Sequence, residues 1–269
     1  MTRKIKYQIY SPGGNDTALV QGVGYSRELK KRINDEIMKV DTNIEQVGFV
    51  ENEGTPKLVM AGGEFCGNAT RSAAYYYLKG KTGEIQIEVS GAEEILKAGV
   101  DEEGNAWSQM PIYSGDDVVT VLEPGIYKVK MKGIIHIIVE AEPAKRYLED
   151  KKKLKESGMK LIRQVQIDEA EAVGVIFLEE MDRQLKIHPI VWVRSIDTLF
   201  YETACGSGTV ALGILKSLNQ SAYQTLEVLQ PSGQAIHTSV SLKNRELVDA
   251  IISGKVYTDG ILRKIEVEC

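Results

Sequence analysis

Two glycine-rich phrases constrain this chain more than anything else in it: GGEFCGNATRSAA around Cys66 and YETACGSGTVALG around Cys205. Each reads Cys-Gly, a small polar residue, then small residues leading into an apolar run, which is how a helix that begins at a cysteine is written. A thiol in that position meets unpaired backbone N–H groups and the positive end of the helix dipole, and both favour its thiolate. One phrase lies in each half of the chain. The arrangement predicts two related halves, each delivering one thiol, with both thiols serving one substrate.

The rest of the pattern fits such a plan. Strand-like runs dominate, among them KIKYQIY, TALVQGV, EQVGFVE and EIQIEVS in the first half, and IYKVKMK, IIHIIVEA, AVGVIFLE and KIHPIVWV in the second. Many alternate apolar and polar residues, as half-buried strands do. Four segments read instead as helices: Ser26 to Val40 and about Pro143 to Ile162, both amphipathic, and the two that start at the cysteines. The one after Cys205 is apolar almost all round, the mark of an enclosed helix. The expectation is an α+β protein with an N-terminal lobe over 1–116 carrying Cys66 and a C-terminal lobe over 117–256 carrying Cys205. The strand at about 257–269 returns to the first lobe, and the seam falls in the polar stretch Ser114 to Asp117.

Composition bounds the function. The 269 residues suffice for a substantial core, and a formal net charge of -5 with no basic stripe argues against nucleic acid as a partner. The nearest candidate, KKKLK at 151–155, is flanked by Glu149, Asp150 and Glu156 and reads as a solvated helix face. No apolar run suits a membrane span or a signal peptide. Three cysteines are too few and too odd in number for a disulfide framework, Cys269 being incidental, and a reducing cytoplasm is expected.

Free cysteine is often no more than a small buried hydrophobe, yet a repeated glycine-flanked helix start calls for chemistry. Disulfide exchange lacks its Cys-x-x-Cys. A Cys–His hydrolase or acyltransferase would need one of His136, His188 and His237 as base, and all three sit in strand-like runs that read as structural. Zinc lacks a ligand cluster, and the Gly206–Thr209 turn lacks the lysine of a phosphate loop. A binding protein that has lost catalysis stays open, although it has no need of both thiols. Racemisation beside a carboxylate suits two thiols: one removes the α-proton, the other protonates the opposite face, and helix N-termini hold the developing charge. That chemistry needs no cofactor.

At these residues the sequence resembles the diaminopimelate epimerase family of pyridoxal-phosphate-independent racemases. The likeness runs through SPGGND at 11–16, EQVGFVE at 45–51, GEFCGNATR and ACGSGT, in order along the chain. It implies two pseudo-symmetric lobes, each with strands wrapped around a central helix, and a homodimer. It also implies Cys66 and Cys205 as the catalytic pair, with substrate contacts from Asn15, Gln46, Gly67, Asn68, Gly206 and Ser207.

The departures bear on substrate. Asparagines that grip the distal end of diaminopimelate are replaced near Met60, at Ile134 and at Gly174, and the Glu-Arg pair falls near Ile196-Asp197. Losing a bidentate arginine from a buried carboxylate site costs on the order of 2–5 kcal/mol, so diaminopimelate fits poorly unless Arg194 substitutes. Together with VGF after Glu45-Gln46 and QPSG at 230–233, these replacements look like the histidine racemase branch. The resemblance then implies a small amino acid substrate, histidine, with Glu45 accepting from an imidazole N–H; an exposed strand carboxylate is the alternative reading of Glu45.

Overall fold

The computed structural model describes residues 2–51, 54–113, 117–167, 170, 172–182, 184–194, 198–220, 224–244 and 246–268. The chain divides into two compact units, Met1–Gln109 with Ser253–Cys269, and Met110–Ile252. It is a mixed α/β protein dominated by strands, with five α-helices among the described residues.

In the first unit, Thr2–Pro12 pairs antiparallel with Thr17–Gln21, with Val256–Thr258 and with Arg263–Glu268, so the end of the chain closes onto its beginning. Thr17–Gln21 then runs parallel to Gln46–Glu51, and helix α1 (Arg27–Val40) makes the crossover. Gln46–Glu51 turns back antiparallel onto Lys57–Met60, which is parallel to Gly83–Val89 through helix α2 (Gly67–Leu78). Parallel neighbours need such crossovers, and these place a helix on each side of the strands. The alternation of side chains sorts two cores. Ala18, Val20, Val47 and Phe49 pack with Ile33 and Ile37 of α1, whereas Leu19, Val50, Leu58 and Met60 pack with Ala69, Ala73 and Ala74 of α2. Each fully buried large aliphatic or Phe side chain contributes about 1.5–3 kcal/mol.

The second unit repeats the order of connections. Ile134–Val139 runs parallel to Ala172–Met181 by a helical crossover, and Ala172–Met181 pairs antiparallel with Gln184–Val193. Gln184–Val193 in turn is parallel to Gln224–Leu229 through a helix that begins at Gly206. In the first of these crossovers, the single helix expected over about Pro143 to Ile162 is two: α3 (Ala141–Leu148) and α4 (Leu154–Gln164), separated by a 3-10 turn at Lys151–Lys153. Asp150 accepts from the Lys152 N–H and starts that turn. The break rephases the apolar face, so that Ala144 of α3 and Leu154, Leu161 and Ile162 of α4 all meet Ile137, Val175, Phe177 and Ile190. Lys151 and Lys153 of the basic run are exposed and pair with Glu179 and Asp150, as a solvated face should. Helix α5 (Gly206–Gln220) carries a buried apolar surface of Val210, Ala211, Leu212, Ile214 and Leu215.

Helix α1 begins where its sequence says. Ser26 caps it by accepting from the Leu29 N–H at 3.2 Å, and Glu28 and Lys39 suit the two ends of the dipole. Of the expected seam, Ser114 to Asp116 and, further on, Ile196-Asp197 and Cys269 lie outside the described residues. Among the described residues, no helix is long and apolar enough to cross a membrane.

One glycine holds the approach to α2 in place. Gly91 has φ +73°, and a Cβ there would stand 2.3 Å from the Phe65 backbone nitrogen, one residue before Cys66. Gly91→Ala is expected to lower unfolding free energy by about 1–3 kcal/mol through this clash and the positive φ. Urea denaturation measures it, and an unchanged midpoint would show that the turn yields freely.

Candidate active site: two cysteine half-sites

Cys66 is the N-cap of α2. Its backbone is extended, and its sulfur accepts from the Ala69 N–H at 3.4 Å. The loop before it is held by Ser90, whose hydroxyl accepts from the Met60 N–H at 2.9 Å and donates to the Glu64 carbonyl at 2.8 Å. Gly67 and Asn68, expected beside the thiol, are buried in the first turn. Glu45, Gln46 and Asn15 are brought to the same place. Asn15 Nδ2 donates to a Glu45 carboxylate oxygen at 2.7 Å, Gln46 Nε2 donates to Asn15 Oδ1, and the Cys66 thiol donates to Gln46 Oε1 at 3.0 Å. Gln46 Nε2 also donates to the Thr17 hydroxyl at 2.7 Å. Glu45 is exposed, Asn15 is buried, and Gln46 and Cys66 are half-buried, so the chain of bonds joins a surface carboxylate to the sulfur.

Sequence reasoning missed Arg71. It lies one turn along α2, is fully buried, and donates from Nη2 to Asn68 Oδ1 at 2.9 Å and to the Pro12 carbonyl at 3.3 Å. It thereby ties the SPGGND turn to the cysteine helix. Burial pushes its pKa down to about 10, and negative charge on Cys66 opposes that shift. By reciprocity, the guanidinium favours the Cys66 thiolate. The only signal for it was an arginine within an otherwise small and apolar helix.

The second half-site has the same backbone plan and different surroundings. Cys205 is buried, with its sulfur accepting from the Gly208 N–H at 3.4 Å and 3.6 Å from the Ser207 hydroxyl. Gly206 opens the helix. The QPSG turn anchors the cysteine backbone: Gln230 Oε1 accepts from the Cys205 N–H at 2.9 Å, while its Nε2 donates to Thr209 Oγ1 and the Val228 carbonyl, each at 3.0 Å. Burial pushes the Cys205 thiol well above its ordinary pKa, and the Glu202 carboxylate adds to the shift by charge and by a hydrogen bond that favours S–H. Cys205 is thus a proton-bearing thiol at neutral pH. Glu202 was not singled out in the sequence.

His136, read as structural, stands against this half-site. Its Nε2 is 3.0 Å from the Ser207 hydroxyl, while Nδ1 has no hydrogen-bond partner among the described residues. Complete burial pushes its pKa down to about 3, so the ring is neutral. Gly174 sits opposite it across the parallel pair, and a Cβ there would lie 2.2 Å from His136 Nδ1. The glycine in place of an amide therefore makes room for the imidazole. Met60 goes into the core around α2, and Arg194 is exposed. The other histidines lie elsewhere in their unit: His188 is buried between Glu179 and Tyr201, and His237 pairs with Glu227. Among the described residues, no three His, Cys, Asp or Glu side chains group as metal ligands.

With both thiols at helix starts, comparison with known proteins becomes informative. Residues 4–260 match the family described as the histidine racemase CntK N-terminal domain. The chain belongs to the histidine racemase family. It is 30% identical to a histidine racemase of Fusobacterium nucleatum over 92% of this chain and 95% of that one. Among solved structures, a PhzF-family phenazine biosynthesis protein of Bacillus anthracis matches with a TM-score of 0.68 at 16% identity, covering 99% and 100% of the two chains. A hydroxyproline epimerase of Agrobacterium vitis matches with a TM-score of 0.64 at 12% identity, covering 98% and 91%. At those identities the likeness is one of fold. This member of the histidine racemase family is an isomerase of the racemase and epimerase type.

The neutral burial of His136 has a stability consequence. Unfolded histidine titrates near 6.5, so between about pH 6.5 and about pH 3 the unfolded chain binds the extra proton and stability falls as pH falls. Urea unfolding at pH 7 and pH 4 should show a smaller acid loss in His136→Gln than in the parent chain. Equal losses would mean that the imidazole does not stay neutral.

Proposed function

We propose that this racemase interconverts L- and D-histidine by a two-base thiol mechanism without pyridoxal phosphate. The observation that carries the reading is the repeated placement of a cysteine at the start of a buried helix, its sulfur receiving the N–H three residues on. In one direction the Cys66 thiolate takes the α-proton while the Cys205 thiol delivers its proton to the opposite face; the reverse direction exchanges the roles. The pair of electrons left on Cα spreads into the substrate carboxylate. N–H groups of Gly67, Asn68, Gly206 and Ser207 at the two helix starts are suited to hold that charge, because they are fixed before it develops.

The raised pKa of Cys205 supports its role as the resting acid. Glu45, exposed and bonded to Asn15, supplies a carboxylate for the imidazole N–H. The repeated order of crossovers supports a diaminopimelate epimerase-like fold of two pseudo-symmetric lobes, 1–116 with 257–269, and 117–256. A cytoplasmic homodimer completes the reading.

Cys66→Ser and Cys205→Ser are each expected to cut histidine racemisation at least about 100-fold, in line with losing a positioned acid or base. Chiral chromatography of the product measures it. Racemisation surviving in either variant, or a trapped acyl group on one cysteine, would turn the reading towards single-thiol chemistry.

A further inference from the structure

The bonds from Glu45 to Cys66 have a direction, and the direction is imposed from one end. A carboxylate only accepts, so Asn15 must turn its NH2 towards Glu45 and its Oδ1 towards Gln46. Gln46 must then donate from Nε2, to Asn15 Oδ1 and to Thr17 Oγ1, whose own hydroxyl donates to the Asn15 carbonyl at 3.4 Å. What remains to face the sulfur is Gln46 Oε1, and an amide oxygen 3.0 Å from sulfur favours S–H over S⁻. On the other side of Cys66, the buried Arg71 guanidinium and the Ala69 N–H favour the opposite state.

The chain has a second polarity, in which the bonds to Glu45 and to the Asn15 backbone carbonyl are given up and the sulfur becomes an acceptor. If both amides turn over, Asn15 Nδ2 donates to Gln46 Oε1, the Thr17 hydroxyl rotates to donate there as well, and Gln46 Nε2 donates to a Cys66 thiolate. The outward end then offers Asn15 Oδ1, an acceptor, where it had offered a donor. We propose that Glu45, Asn15 and Gln46 form a reversible hydrogen-bond relay that holds Cys66 as a thiol until a side chain bearing an N–H or a positive charge occupies Glu45. Occupancy withdraws the carboxylate from Asn15, the amides reverse, and Cys66 becomes the base. Its proton leaves to solvent or to the ligand. Asn15 and Gln46 are positioning residues here, and the relay makes recognition of the side chain a condition for activating the thiol. This rests on the reading that Glu45 receives the imidazole of the substrate.

The test follows the alkylation of Cys66 in the full chain by iodoacetamide across a pH series, read by peptide mass so that Cys205 is scored separately. Glu45→Ala should lower the Cys66 midpoint by about one pH unit, a tenfold gain in thiolate at a fixed pH below it. Glu45→Gln keeps an acceptor for Asn15 and should stay near the parent midpoint, whereas mere removal of a nearby charge would shift both variants alike. Gln46→Glu, which fixes an acceptor against the sulfur, should raise it. Imidazole alone should lower the midpoint of the parent chain and leave Glu45→Ala unmoved. An unmoved or raised midpoint in Glu45→Ala, equal shifts in the two Glu45 variants, or no response of the parent chain to imidazole would overturn the relay. None of these readings needs turnover. A lowered midpoint in Glu45→Ala in a chain that fails to racemise histidine would sustain the relay and sink the substrate assignment.

Discussion

A cysteine at the first position of a helix cannot be moved without moving the helix, and both half-sites are built on that constraint. Each thiol is placed by a crossover between parallel strands, and each sulfur takes an N–H that the helix leaves unpaired. The strands bury the helix, and a side-chain clamp fixes the loop just before the thiol. In the first unit that clamp is Ser90. In the second it is Gln230, which bonds the cysteine nitrogen and Thr209 one turn further on.

The same backbone carries two different electrostatic settings. Cys66 faces an amide oxygen whose orientation is dictated from the surface, within the field of a buried guanidinium. Cys205 is buried beside a carboxylate, with a neutral histidine bonded to the Ser207 hydroxyl. The Arg71 guanidinium and the Cys66 sulfur attract each other, whereas burial and the Glu202 carboxylate push the Cys205 thiol well above its ordinary pKa. The proposed mechanism starts with one base and one acid, and unequal surroundings fix which thiol gives up its proton first.

Local features were legible in the sequence. Small residues and glycines around the cysteines marked the starts of α2 and α5. Ser26 marked the start of α1, whose buried stripe of Ile33 and Ile37 follows the helical period. Cys66 was named from its own phrase and Asn15 and Gln46 through the family resemblance, and the structure joins them by hydrogen bonds. What escaped were long-range pairings. Arg71 was passed over because the Pro12 carbonyl that it binds meets it only in the fold. His136 in an apolar strand carried no sign of Ser207, seventy-one residues later. The break between α3 and α4 was hidden because lysines at 151–153 continue a helical charge pattern across it, and only Asp150 as a cap marks the interruption.

The proposed mechanism sets two thiols to work on opposite faces of one carbon, and the position of the isotope in the first product reads that directly. With L-histidine in deuterium oxide, early time points should show D-histidine carrying deuterium at Cα while recovered L-histidine remains protio, because the proton taken by one thiol is not the one returned by the other. Deuterium appearing as fast in the recovered L-histidine as in the product, or D-histidine formed with its original proton, would contradict a two-base reaction.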